Sequence, residues 1–433
     1  MKLKTLVGSM AILGLVSTSA FAAPAGGAKH SRNWNQKEKD FYMSIMNRNQ
    51  DNNGTLMMNH LRNGESKLTG KIYTEFQHND RGGENSNGDT GFASGNSTSS
   101  IDLSAAELFF DARINSITTA HVSVDYDYNV VGNQAGVPSG SSLSKGFFFS
   151  EAAIEFNYGA LFVNIGRQYL NFGSTMHNSI TAPVTQVLSS SDQDAVTVGA
   201  QNFGGFFIDG SVYNGTPVNS NSGTTPPPSL DNSSNNVHGY NVDFGYATLG
   251  DGYGFHLYID YLSNMADVTA VHGSIAPNGG NPYTENDIPA IAAHGDFIVG
   301  PFTFMADYVT ATKSFDANIL STINNSLSQT GAEGAKPSAW RLEGDYHFIP
   351  GQNLTLGVEG TRQAQNVREL GSDFNLPESR FLAAYTIGLN RSQSVQLEGE
   401  YTNDKDYSTG TGSDNGGTGN TNNTVTVRLR VGF

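Results

Sequence analysis

From Ser66 to Phe433 the sequence repeats one pattern: a segment in which apolar and polar side chains alternate, a connection, then another such segment. Alternation of period two is the signature of a strand with two unlike faces. Leu68, Ile72 and Phe76 share one parity; so do Ala120, Val122, Val124 and Tyr126, then Phe148, Ala152, Ile154, Phe156 and Tyr158. Phe302, Phe304, Ala306 and Tyr308 repeat it, as do Val425, Val427, Leu429, Val431 and Phe433. About sixteen such segments follow one another, an even number within the range of single-chain outer-membrane barrels. Their connections alternate between short turns, such as Gly159-Ala160 and Gly300-Pro301, and long polar stretches, such as residues 79–99, 171–192, 215–236 and 403–422. A soluble sandwich has no physical reason for that alternation. A membrane barrel does, with short periplasmic turns and long extracellular loops. The expected fold is therefore all-β: a transmembrane antiparallel β-barrel of about 16 strands.

Hydropathy alone would miss this. Only residues 6–16 form an apolar run of note, and it is too short to span a bilayer, which takes roughly 20 residues. With Lys2 and Lys4 before it and Ser-Ala-Phe-Ala at 19–22 after it, the run reads as a signal peptide cut after Ala22. Residues 1–22 are thus expected to be a signal, and 23–65 a periplasmic tail. That tail holds one short amphipathic helix near Phe41, Tyr42 and Ile45, and 66–433 form the barrel. The composition suits strands and turns, with 50 Gly, 10% aromatic and only 15% charged residues. There is no Cys, so no disulfide is available, and nothing in the sequence calls for a cofactor. A net charge of -16 argues against a nucleic-acid partner.

The second parity is polar throughout, from Glu75, Glu107, Asp111 and His121 to Arg341, Glu343, Glu359, Arg380, Glu398 and Glu400. Charges of this number belong in an aqueous lumen, because each would cost a few kcal/mol at mid-bilayer. Passage of solutes follows as the function class. Acids outnumber bases, so a general or cation-preferring diffusion porin is one reading. Lys67, Lys71, Arg113, Arg428 and Arg430 fall on the first, second and last strands, which become neighbours on closure, and suggest a basic stripe for an anionic solute. Arg428 and Arg430 are expected to sit opposite Lys67 and Lys71. His121, Ser123 and Asp125 share a strand face at spacings too wide for a catalytic relay, so no enzyme is expected. His256 with Asp260, and Asp345 with His347, read as wall residues and not metal ligands. Residues 49–60 lack the carboxylates of a calcium loop at its first and last positions.

One stretch is more specific. Ile165, Gly166, Gln168, Tyr169, Phe172 and Gly173 are followed by Pro183, Val184 and Thr185, then Val198, Gly199, Tyr213, Asn214 and Gly215. These residues resemble the LbtU-type siderophore porin family of outer-membrane proteins. Asn171 stands where that pattern has Pro, and Ser189 where it has Gly. The resemblance implies uptake of an iron-siderophore complex through a porin-like barrel. The roughly forty residues before Ser66 are too few for the folded plug of a TonB-dependent receptor. The motif also runs into the third long loop, where Phe172, His177, Ile180, Pro183 and Val184 are unusually apolar for a solvated segment. Residues 171–192 are therefore expected to fold inward as a constriction loop.

Expected partners are outer-membrane lipid, a ferric siderophore or small solutes, and the barrel-assembly machinery, whose recognition signal Phe433 resembles. Homo-oligomerisation stays open, since no lipid-facing surface is distinguished from the others.

Overall fold

A computed structural model describes residues 63–82, 97–127, 146–174, 177–215, 237–250, 253–275, 287–316, 319–320, 334–349, 351–367, 375–390, 394–407 and 419–433. The signal, the tail helix, the 49–60 segment and Tyr128 lie outside the described residues. Sixteen strands run β1 (Ser66–Gly82), β2 (Thr98–Arg113), β3 (Thr118–Asp127), β4 (Gly146–Tyr158), β5 (Leu161–Tyr169), β6 (Asp192–Phe203), β7 (Phe206–Asn214) and β8 (Val237–Gly250). They continue with β9 (Tyr253–Leu262), β10 (Ala290–Val299), β11 (Phe302–Ala311), β12 (Ser338–Ile349), β13 (Gln352–Arg362), β14 (Ser379–Gly388), β15 (Val395–Lys405) and β16 (Thr421–Gly432). Each pairs antiparallel with its sequence neighbours, and β16 returns to β1, closing the barrel. No helix among the described residues is long and apolar enough to cross a membrane; the strands do so.

Parity sorts the faces as the alternation demands. Leu68, Phe110, Val198, Phe244, Leu342, Leu356 and Leu429 are exposed on the outside, whereas Asp111, Asp260, His294, Arg341 and Glu359 are buried on the inside. Aromatic rings gather at the short-turn end: Phe302 and Tyr346 lie 4.8 Å apart, Tyr346 and Phe348 4.4 Å, and Phe206 and Tyr246 4.8 Å. Amphipathic rings favour the membrane interface, so this girdle sets the height of the barrel in the bilayer.

Two local features place residues differently from the sequence-based expectation. Opposite β3, the register slips so that Ser123 faces Glu151 while Val124 faces Phe149. The extra residue, Ser150, is a β-bulge, and it reverses parity in the first half of β4. Phe147 and Phe149 therefore face outward, 74% and 60% exposed, and Phe148 is turned to the inner face, contrary to its expected lipid-facing position. The second departure is at the seam. Arg428 lies opposite Glu75 and Arg430 opposite Tyr73, not opposite Lys67 and Lys71. The register is set where Phe433 and Gly70 exchange two backbone hydrogen bonds of 3.0 and 3.1 Å.

At that seam Gly70 has no Cβ for a steric reason. A Cβ there would lie 2.6 Å from the Phe433 ring and 2.9 Å from the Glu107 carbonyl. Gly70→Val should therefore destabilise the closed barrel by about 1–3 kcal/mol, the usual cost of overpacking. A lowered unfolding midpoint in detergent checks this, with Gly399→Ala as a control where the added Cβ meets nothing within 4 Å.

Candidate functional site

The third long loop, which joins β5 to β6, does not project from the barrel mouth. It carries a single helical turn, α1 (Val184–Val187), and its polar backbone is satisfied by the inner wall. Asn171 Nδ2 donates to Asp209 on β7 (2.9 Å), and the Gly173 amide to Asp260 on β9 (2.7 Å). Further on, the Asn178 amide donates to Glu343 on β12 (3.0 Å), and the Ile180 and Thr181 amides to Glu400 on β15 (2.6 and 3.0 Å). The Val184 amide donates to Glu359 on β13 (3.0 Å). In a barrel of sixteen strands β13 lies diametrically opposite β5, so the loop crosses the interior. Backbone N–H groups removed from water need acceptors, and lumenal carboxylates supply them.

The apolar loop residues have a matching explanation. Phe172, Val184, Val187 and Leu188 are buried together with Leu262 at the end of β9, with Met265, Val268 and Val271 of the β9–β10 connection, and with Phe315 and Leu320 of the β11–β12 connection. The β9–β10 connection contains a 3-10 turn (Met265–Asp267) and a helix, α2 (Thr269–Ile275). Ser191 Oγ donates to the Asp267 carbonyl at 2.6 Å, and the Thr269 amide to the Ser190 carbonyl at 2.9 Å, which ties the two loops together. Burial holds the His272 imidazole below its ordinary range. This small core sits among loops and the adjoining ends of the strands they pack on. At its entrance Gly173 adopts φ +72°, and a Cβ there would lie 2.3 Å from the Ser189 Cβ, so the two arms of the loop meet where no side chain fits.

The loop residues singled out in sequence are thus differently placed. Phe172, Pro183 and Val184 are buried, and His177 and Ile180 are half-buried. His177 Nδ1 lies 2.9 Å from the Ser179 carbonyl. Sequence reasoning did not single out the other contributing loops, although the apolar run of Met265, Ala266, Val268 and Val271 was a readable signal.

The interior is not evenly filled. Side chains of His294, Arg341, Glu343 and Glu359 are fully covered, whereas Lys71 is 20% exposed, Glu75 22%, Glu107 26% and Arg428 16%. Open space therefore lies along the β16–β1–β2–β3 arc. A cavity of about 270 Å³ adjoining it on β1 to β4 is lined by Lys71, Tyr73, Glu107, Phe109, Asp125 and Glu151, with Gln186 and Ser190 of the loop on its other side. The five basic residues do not form one stripe. Lys71 pairs with Glu107 at 3.7 Å, and Arg428 binds Glu398 and approaches Glu75 at 3.7 Å. The Arg430 guanidinium lies 6.0 Å from the Tyr73 ring centre, Arg113 donates to the Asn115 and Ser116 carbonyls of a turn, and Lys67 is exposed. Register explains the interleaving, since Glu75 faces Arg428 and Lys71 faces Glu107 across adjacent strands.

His121 engages Asp111 (2.6 Å) and Glu151 (3.0 Å), leaving no ring nitrogen for Ser123, which donates to Asp125 at 3.2 Å. His256 is paired with Asp296 and not with Asp260.

This architecture matches solved outer-membrane channels. The outer membrane channel DcaP of Acinetobacter baumannii superposes with a TM-score of 0.53 at 12% identity, covering 86% of this chain and 98% of that one. An anion-selective porin from Comamonas acidovorans gives 0.51 at 12% identity, over 86% and 100%. The protein has a porin-like channel fold and resides in the bacterial outer membrane. By sequence it is distantly related to a UPF0422 protein of Coxiella burnetii, 25% identical over 317 residues, or 72% of this chain. The match spans only 61% of that relative's length. No family model matches the chain.

Proposed function

We propose that the protein is a loop-constricted diffusion porin whose opening follows the β16–β1–β2–β3 arc and passes small polar or charged solutes. The observation that carries this reading is the path of residues 171–192, anchored on Glu343, Glu359 and Glu400 of the far wall. That arrangement also bears on selectivity. A count over the whole lumen makes the channel look acidic, but Glu343, Glu359, Glu400, Asp209 and Asp260 are engaged in holding the loop. Around the opening stand Glu75, Glu107, Asp125 and Glu398 against Lys71, Arg428 and Arg430, while Glu151 is engaged by His121. Acids and bases there are nearly balanced, so weak ion selectivity is expected. Reversal potentials in a salt gradient test this: a value near zero for wild type, moving toward cation preference in the Lys71→Gln/Arg430→Gln double variant. A strongly cation-selective wild type would contradict the reading.

A second reading, transport of a ferric siderophore, is favoured by the resemblance of the 165–215 motif to siderophore porins. The cavity suits an anionic chelate with aromatic groups. Lys71 lies 5.2 Å from the Phe109 ring centre and Arg428 5.1 Å from that of Tyr73, so cationic and aromatic contacts stand side by side. Yet Phe172, Gly173 and Val184 of the motif are engaged in loop packing, which a channel for any solute would need. Block of single-channel current by a ferric siderophore at low concentration supports this reading; current unaffected at high concentration removes it.

A further inference from the structure

The geometry points to a divalent transition-metal site in the barrel wall, held by His256, His294 and Asp296. It is independent of what the channel carries. His256 on β9 faces Asp296 on β10 across the ladder, and His294 lies two residues before Asp296 on the same inner face. Their donor atoms lie within 4.8 Å of one another, and all three side chains are buried. His256 Nδ1 is 3.0 Å and His294 Nε2 3.2 Å from the same Asp296 oxygen, Oδ2. In a tetrahedral zinc site with metal–ligand bonds of about 2.0–2.1 Å, neighbouring donors stand about 3.3 Å apart; the two contacts to Asp296 are close to that spacing, and the two imidazole nitrogens, within 4.8 Å of each other, need shift by no more than about 1.5 Å to reach it.

Three further features suit a metal better than a plain hydrogen-bonded trio. Asp307, opposite His294 on β11, takes the Nδ1–H of that ring. Nε2 itself hydrogen-bonds to Asp296; with an ion bound, the Asp307 carboxylate would hold the Nδ1–H and leave Nε2 to ligate, as carboxylates behind metal-binding histidines do. Arg341 holds the second Asp307 oxygen at 3.1 Å, so the supporting shell is itself fixed. The immediate surroundings are also anionic: Asp296, Asp307 and Glu343 stand against the single guanidinium of Arg341. A divalent ion bound to neutral imidazoles offsets that excess. Two imidazoles and one carboxylate select a borderline ion such as Zn²⁺ over Ca²⁺ or Mg²⁺, which prefer all-oxygen sites.

The test uses the full chain, untagged and in detergent, dialysed against Zn²⁺ and then against metal-free buffer. Elemental analysis should find about one zinc per chain. His294→Gln and Asp296→Asn should lower it to background, whereas His121→Gln should retain it. His121 on β3 serves as the control because its two partners, Asp111 on β2 and Glu151 on β4, are both carboxylates and no imidazole joins them. Zinc absent from wild type, retained by His294→Gln, or lost equally from His121→Gln overturns the proposal. A variant that does not fold cannot rescue it, because wild type loaded with Co²⁺ gives an independent readout. The intense visible bands of tetrahedral cobalt are expected, and a spectrum like that of the aqueous ion overturns the site without any substitution.

Discussion

Excision of residues 174–189, with a short Gly-Ser bridge in their place, should raise single-channel conductance at least about twofold, because the widest obstruction to ion flow is removed from a water-filled barrel. The barrel should survive the change. Its sixteen strands close through their own ladders, and the loop contributes none of them. Point changes at one anchor should behave differently. Glu400 accepts from the Ile180 and Thr181 amides, and Glu400→Ala would leave both without that partner. Each orphaned buried donor costs about 1–3 kcal/mol, so this part of the loop should detach intermittently. Glu343, Glu359 and Asp260 would still hold the rest. The expected record is flickering between two current levels, not a uniformly larger pore. Unchanged conductance and selectivity in the excised variant would refute the constriction.

Arg380→Met should be among the most destabilising single substitutions in the barrel. The Arg380 guanidinium binds Glu359 at 3.1 Å and Asp404 at 2.6 Å, and its side chain is only 2% exposed. It also approaches the Ala182 carbonyl of the loop at 3.5 Å. Removing one member of a buried ionic group leaves its partners charged and unsolvated, which costs about 3–5 kcal/mol. The urea midpoint of the detergent-solubilised protein should fall accordingly. The triple variant Arg380→Met/Glu359→Gln/Asp404→Asn should recover much of the loss, since no uncompensated charge is left. If Arg380→Met alone is as stable as wild type, the network contributes only to position and not to stability. Lys405→Met offers the comparison: its pair with Glu378 is 53% and 39% exposed, and exposed pairs contribute about 0–1 kcal/mol.

Much of this architecture was legible in the residue order. Strand number, the alternation of turns and loops, and the lumenal identity of Asp111, His294, Arg341 and Glu359 all follow from parity. A one-residue slip would place charge in lipid. The inward loop was signalled by Val184 and Val187 in a segment that should have been polar. Phe148 was misplaced because a bulge inserts one residue without a residue type that announces it; Ser150 is as ordinary in a strand as in a turn. The basic stripe failed for a related reason. Lys67, Lys71, Arg428 and Arg430 do lie on adjoining strands, but which residue faces which depends on register, and register at the seam is set by Phe433 meeting Gly70.

The sequence by itself determined that the chain makes a closed membrane barrel with a polar interior, because parity and connection length are local properties that each strand states for itself. Only the tertiary structure decided where that interior is open. Glu343, Glu359 and Glu400 look in sequence like Glu75 and Glu107, since all five are inward-facing acids on alternating strands. What separates them is a loop from the opposite side of the barrel, whose amides require acceptors and whose apolar residues require a core. That requirement is met by residues up to 220 positions apart, and no local pattern encodes such a pairing.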